Sequence, residues 1–323
     1  MSTRLRRARA RAGLAAMVLA LGLGAAACGS AGQYPDTTLA SSAPTTSAAG
    51  SAGATPAACT NATQSYDPLP ALKLPASMEP IRARGYLVAG VSADSLLLGS
   101  RNPVNGQIEG FDIDMVKEVA KAIFGDPNKV QLVVIQSAER LSAIKDGRVD
   151  LVARNMTMTC DRWTQIAFSA EYYHSGLKLL VPKGSDATSL EALRGKKVCA
   201  PNATSTMDRV KEAQGVTAVG SGTHTGCLVL FQQGKVDAIA GDDTVLAGLA
   251  AQDPYAFVPA IQPLTAEPYG LGISLKNREF VSYVNTLLDQ MKADGRWKGI
   301  YDRWFAGPLG PAPAPPPSVY GRP

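Results

Sequence analysis

The chain is predicted to be an α/β protein of two lobes, the second inserted in the first, and three observations predict it. The tetrapeptide Gly147-Arg148-Val149-Asp150 recurs as Gly234-Lys235-Val236-Asp237. Each copy follows a helix-spaced apolar run that opens on Leu141 or Leu228, and each runs into a short apolar strand, Leu151–Ala153 or Ala238–Ala240. Helix, glycine C-cap and buried parallel strand make the repeating unit of an open α/β sheet. Third, Phe168–Val181 and the stretch from Glu267-Pro268-Tyr269-Gly270 into Leu271–Leu275 read as extended crossovers. Two crossovers leave one lobe inserted and make the joint a two-stranded hinge. Ligands of such sheets lie outside the carboxyl ends of strands. Five residues after each repeat aspartate stands a polar residue, Asn155 or Asp242. Facing sheets would point both into one cleft, which is the arrangement of a clamp.

The elements follow in order. Residues 1–27 read as an export signal: Arg4, Arg6, Arg7, Arg9 and Arg11 precede an apolar run from Gly13 to Ala27. That run is short of the roughly 20 apolar residues a membrane span needs. Ala25-Ala26-Ala27-Cys28 resembles a bacterial lipoprotein signal in which Cys28 becomes the lipidated first residue, although Ala25 stands where such signals prefer leucine. Residues 28–65 are almost wholly Ala, Ser, Thr, Gly and Pro and read as a tether. The first lobe takes 66–175, the second 176–266, and 267–305 return to the first. The proline-rich 306–323 form an extended tail.

Within the first lobe, Ile81–Gly85 ends a helix, Tyr86–Val91 is a strand, Asp112–Phe124 a helix closed by Gly125, Val130–Ile135 a strand and Ala138–Asp146 a helix. Phe280–Asp294 and Trp297–Phe305 are helices packed back on it. Asp112 and Asp114 sit at a helix start, where carboxylates complement the dipole rather than hold a metal. Tyr172, Tyr173, Trp297 and Trp304 are assigned to core and hinge packing.

Charge and cysteines narrow the function. The formal charge is +5, with 32 basic and 27 acidic residues, and the five arginines of the signal carry the whole excess. A near-neutral mature body gives no footprint for nucleic acid. Export makes disulfides the default for Cys59, Cys160, Cys199 and Cys227, and four cysteines allow three pairings. Cys199 ends a predicted strand and Cys227 opens the second repeat's helix, so both fall in one lobe. The favoured pairing is Cys199–Cys227, leaving Cys59–Cys160 to staple the N-terminal segment to the first lobe. With no Cys-x-x-Cys spacing and two histidines, no metal site is expected, and no cofactor.

Gly110-Phe111-Asp112-Ile113-Asp114, Met156-Thr157-Met158-Thr159-Cys160-Asp161-Arg162 and Pro268-Tyr269-Gly270 resemble the polar-amino-acid receptors among the bacterial extracellular solute-binding proteins, family 3. The resemblance runs from about Pro80 to Phe305 and implies the two-lobed periplasmic-binding-protein (type II) fold. It places Arg162 on a ligand α-carboxylate, and Thr157, the Asn155 backbone and Asp242 on the α-ammonium. Thr204 and Ser205 would supply loop N–H groups to the carboxylate. Ser137 and Arg140 match the glutamate/aspartate branch, where they meet the side-chain carboxylate, and His224 falls at a ligand-contacting histidine. Pro201-Asn202-Ala203-Thr204 departs from the family's serine-glycine-threonine loop. Ser92–Ser100 lacks the aromatic that stacks on glutamine in glutamine binders.

The chemistry agrees with the resemblance. A free amino acid is a zwitterion, so its site needs a fixed cation and a fixed anion a few ångströms apart. The planar fork of Arg162 suits a carboxylate, and Thr204-Ser205-Thr206 before Asp208 has helix-capping spacing, so free N–H groups would add to it. Asp242 supplies the anion, unless it caps the helix Thr244–Ala250, a task Asp243 is equally placed to do. The implied protein is a monomeric, lipid-anchored, non-enzymatic receptor on the outer face of the cytoplasmic membrane, serving an ABC permease or a transmembrane sensor. An enzyme on the same scaffold, of dehydratase or lytic cell-wall type, is the alternative. It would need a catalytic carboxylate beyond the zwitterion-binding set, and no distinctive motif supplies one.

Overall fold

The computed structural model describes residues 59–323. The expected signal, Cys28 and most of the tether lie outside the described residues. The first lobe opens with α1 (Glu79–Arg84), β1 (Leu87–Val91), the short strands β2 (Asp94–Ser95), β3 (Gly99–Arg101) and β4 (Ile108–Glu109), and α2 (Phe111–Phe124). Then come β5 (Val130–Val134), α3 (Arg140–Lys145), β6 (Leu151–Ala153), α4 (Cys160–Trp163) and β7 (Ala167–Phe168). The long β8 (Tyr173–Pro182) crosses into the second lobe. That lobe holds β9 (Lys197–Pro201), α5 (Ser205–Glu212), β10 (Thr217–Ser221), α6 (His224–Gln232), β11 (Ala238–Asp242), α7 (Asp243–Ala250) and β12 (Ala256–Phe257). The chain returns through β13 (Ala266–Tyr269) and β14 (Gly272–Ile273) to α8 (Arg278–Asp294), α9 (Arg296–Trp304) and α10 (Ala306–Leu309).

The first sheet has the order β5-β1-β6-β14-β7, with β1 parallel to β5 and β6 and β14 antiparallel to both its neighbours. The second has the order β10-β9-β11-β8-β12, with β10, β9 and β11 parallel and β8 antiparallel to β11. The hinge is β8 paired antiparallel with β13, Tyr173 opposite Tyr269 and Ser175 opposite Glu267. This is the two-lobed type II periplasmic-binding fold.

Strand alternation explains the second lobe's core. Val198, Ala200, Ala238 and Ala240 pack on the face with Met207 and Val210 of α5. Their neighbours Cys199 and Ile239 point the other way, onto Leu228 of α6 and Leu246 of α7. That alternation brings Cys199 against the buried Cys227 of α6, and the two form a disulfide; Cys59–Cys160 is the other. In the first lobe Phe111, Tyr172, Tyr173, Tyr269, Trp297, Tyr301 and Phe305 pack ring against ring beside the hinge. Trp304 is half-buried and gives its indole N–H to Asp114, so Asp114 ties α2 to α9.

The structure adds detail at three boundaries. Residues 59–65, counted in the tether, are fastened to the first lobe by the Cys59–Cys160 disulfide, as that pairing implied, and also by the buried Ser65, whose hydroxyl bonds the Phe168 carbonyl. The expected extended tail begins as a helical turn, α10, and is extended only past Leu309, where Val319 pairs with Gln64 and Ser318 bonds Lys292 and Asp289. The α5 cap is Thr204, the first residue of the expected capping run, and its hydroxyl accepts the Met207 N–H.

Candidate ligand-binding cleft

The lobes meet closed. Arg140 reaches the Ala203 carbonyl (3.4 Å), the Ser205 and Thr157 hydroxyls meet at 3.2 Å, and the Thr225 hydroxyl donates to the Asp94 carbonyl (2.7 Å). Every expected site residue except Ser205 is nine-tenths or more buried at this seam.

Three guanidiniums, of Arg140, Arg154 and Arg162, come from the first lobe. The Arg162 backbone N–H bonds the Thr159 hydroxyl, which caps the single turn α4, and its Nη1 bonds the Thr157 carbonyl (2.7 Å). Arg140 donates through Nε to the Ser137 carbonyl and through Nη1 to the Arg154 and Asn155 carbonyls. Arg154 donates to the Ile135 carbonyl and the Ser137 hydroxyl. None of the three has a carboxylate within ion-pair distance among the described residues. Burial lowers all three pKa values, and the neighbouring charges felt most by Arg140 are Arg162 and Arg154. Buried cations without counter-charges are costly unless something else supplies the anion.

The second lobe and hinge supply acceptors. Asp242 stands at the end of β11, where its Oδ2 takes the Tyr269 phenol (2.7 Å) and its Oδ1 has no partner. It sits at the α7 N-cap position but makes no capping bond; Asp243 takes the Thr244 N–H and the Ser175 hydroxyl instead. Burial, then the nearby Glu267, raises Asp242 to about 7. Two more buried atoms in the cleft lack partners, Asn155 Oδ1 and His224 Nε2. Burial and the flanking Arg154 push His224 down to about 3, so its imidazole is neutral.

Some expected roles shift. The Asn155 carbonyl already accepts from Arg140 and its N–H goes to Asp112, so the side-chain oxygen, not the backbone, is the group left over. The Ser137 hydroxyl serves Arg154 and its carbonyl serves Arg140, which makes Ser137 a bracket for two arginines rather than a free donor. The Thr204 side chain is spent on the cap and on the Pro201 carbonyl, leaving its backbone as the available part. Asp112 holds the Asn155 N–H and the Tyr172 phenol, a bracing role, and burial raises it to about 6.

Sequence reasoning missed Arg154 and Glu267. An arginine closing the apolar run Leu151–Ala153 is one signal. The other is register, because Glu267 shares its strand face with the buried Tyr269, two residues on. Glu267 accepts from the Ser205 and Thr265 hydroxyls. A surface groove of about 730 Å³ beside Phe231 and Tyr255 contains none of these groups.

Residues 87–307 match the family model described as bacterial extracellular solute-binding proteins, family 3. The chain belongs to that family. Among relatives it is 32% identical over 231 residues to the ABC transporter glutamine-binding protein GlnH of Bacillus subtilis, covering 71% of this chain and 84% of the relative. It is 30% identical over 226 residues to the glutamate-binding protein GluB of Corynebacterium efficiens, covering 66% and 76%. An ancestral arginine-binding protein bound to glutamine superposes with TM-score 0.65 at 32% identity, over 69% of this chain and 99% of that one. A solute receptor for L-cysteine from Neisseria gonorrhoeae gives TM-score 0.68 at 27% identity, over 72% and 95%. This family 3 chain is thus a solute-binding protein, and its matched relatives are binding proteins rather than enzymes.

Proposed function

We propose that this solute-binding protein captures a free polar amino acid outside the cytoplasmic membrane, with acidic amino acids preferred, and delivers it to an ABC permease or reports it to a transmembrane sensor. One observation carries the reading. Three buried arginines of the first lobe, none with a carboxylate at ion-pair distance, meet Asp242 of the second at a closed seam, and both Asp242 and the first lobe's Asn155 keep an unpartnered buried oxygen. An α-carboxylate on Arg162 and an α-ammonium between Asp242 Oδ1 and Asn155 Oδ1 would satisfy both sets at once. Arg140, surrounded chiefly by cations, favours a second carboxylate at the other end of the ligand. Names of relatives agree as far as they go, since they include glutamine and glutamate binders. Contacts drawn from both lobes mean that ligand selects the closed form.

Thermal-shift screening against the twenty amino acids tests the class, because a ligand of the native state alone raises its melting temperature. Glutamate or aspartate should give the largest shifts, with glutamine or asparagine next. No shift with any of the twenty would sink the proposal. Anchoring through Cys28 has its own test: the mature protein should partition into detergent, and Cys28→Ser should not.

A further inference from the structure

The grip on the ligand carboxylate hangs on a fragile support. Arg162 belongs to α4, one turn of four residues, and a turn that short cannot hold itself in water. Three fastenings reach it from segments distant in sequence. Cys160, its first residue, is bonded to Cys59. Trp163, its last, gives its indole N–H to the Ala62 carbonyl (2.7 Å) and packs edge-on against Tyr66 and Phe168. The Arg322 guanidinium lies over the Trp163 ring, 3.8 Å from its centre, and donates to the Gln64 (2.6 Å) and Asn61 (2.8 Å) carbonyls. Arg322 also gives its backbone N–H to the Ser65 carbonyl, and Val319 takes the Ser65 N–H.

Residues 59–66 and 318–322 therefore close over α4 as a clasp. Both stretches lie outside the 87–307 matched by the family model. The fold common to the family does not account for them.

We propose that Arg322 is a positioning residue for ligand binding, acting through Trp163 to hold α4 so that the Arg162 fork faces the cleft. The inference rests on the reading of Arg162 as the carboxylate grip. The guanidinium contributes a cation–π contact and two carbonyl bonds at once. Without it the 59–66 segment loses its outer cover, and of the three distant fastenings α4 keeps only the disulfide and the Trp163 contacts.

The test pairs binding with hydrogen exchange on the full mature chain. With L-glutamate as the probe, Arg322→Ala should weaken affinity about three- to tenfold, and Arg322→Lys should recover part of the loss by restoring the cation over the ring. In an Arg162→Ala background, Arg322→Ala should add nothing, because the group it positions is gone. In ligand-free protein, the Arg162 and Trp163 amides should exchange faster in Arg322→Ala while those of β11 are unchanged. Unchanged affinity, or a loss that persists in the Arg162→Ala background, overturns the proposal. If the parent binds none of the twenty amino acids, the receptor reading fails by itself. The clasp is then judged by exchange, and protection at Arg162 that ignores Arg322→Ala overturns it.

Discussion

The two walls of the cleft are built from one repeated unit and carry opposite electrostatics. In the first lobe Asp150 takes the Val88 N–H (2.7 Å), and in the second Asp237 takes the Lys197 N–H (2.8 Å). Each aspartate thus pins its strand to the neighbouring parallel strand in the same way. Beyond that the copies part. The first wall offers three buried guanidiniums and the amide of Asn155; the second offers Asp242, a neutral His224 and the N-terminus of α5. The two copies share the framework and differ in the side chains at its outlet. Each wall alone leaves polar groups unmet, and in the proposed reading a zwitterion between them makes closure favourable.

The largest expected effect breaks the cationic wall. Arg162→Ala removes one partner of a desolvated pair, at a typical cost of about 2–5 kcal/mol, so affinity should fall by roughly 30- to 5,000-fold. Arg162→Lys should not restore it, since a point charge cannot replace the fork. Isothermal titration showing less than a threefold loss in the alanine variant would remove Arg162 from the site.

The next effect tests the acidic wall through pH. The native Asp242 carboxyl, raised to about 7, holds a proton that the unfolded chain has released above its ordinary value of 3.8. Its contribution to ligand-free stability therefore falls as pH rises through that window. His224, lowered to about 3 from 6.5, works in the opposite sense between those values and blurs the stability profile. Affinity is cleaner, because an ammonium needs ionised Asp242 and His224 stays neutral above its lowered pKa. Binding should tighten about tenfold per pH unit from 5 to 7 and then level off. Asp242→Asn should bind weakly with a flat profile; a slope that survives in this variant assigns the titration elsewhere.

A smaller effect separates the ends of the cationic wall. If Arg140 reads the ligand side chain, glutamate should bind about tenfold tighter than glutamine, a difference of about 1.4 kcal/mol. Arg140→Met should bring the ratio towards one. Arg140→Lys should keep the ratio but bind both more weakly, because three backbone carbonyls lose their donor. Equal affinities in the unmodified protein would end the acidic preference.

How much of this was legible depended on whether a residue's role was local or set by closure. The repeat and the crossovers show in the spacing of apolar and glycine residues, and the favoured disulfide pairing followed from Cys199 and Cys227 falling in one lobe, so they could be read from the chain. Arg162, Asp242 and Thr204 stood out because their residue types match zwitterion chemistry at strand and helix ends. The Ser137 bracket and the Asn155 carbonyl bond could not be read, because both depend on where Arg140 and Arg154 turn inside the first lobe. The clasp was hidden for a different reason. Composition near Cys59 and past Leu309 looks like linker, and the bonds that order those stretches join distant residues, as Arg322 to Gln64 across 258 positions.

The smallest expected effect on affinity sharpens the comparison at the seam itself. Gly248 lies inside α7 of the second lobe, and a β-carbon built there would stand 2.5 Å from the Leu96 carbonyl oxygen of the first. That oxygen belongs to backbone beside β2, in a turn where Leu97 already has φ 75°, so it has little freedom to retreat. Glycine within a helix costs about 1 kcal/mol relative to alanine. Gly248→Ala should therefore stabilise the second lobe by itself while obstructing the closed state. The two consequences have opposite signs, which a general packing defect would not produce. Calorimetry should show the ligand-free melting temperature unchanged or raised, and titration should show glutamate affinity reduced severalfold. Small-angle scattering at saturating glutamate should find the variant less compact than the parent. Parental affinity with full compaction would mean that the lobes close without bringing Leu96 against α7. Closure would then rest on the ligand and the hinge alone.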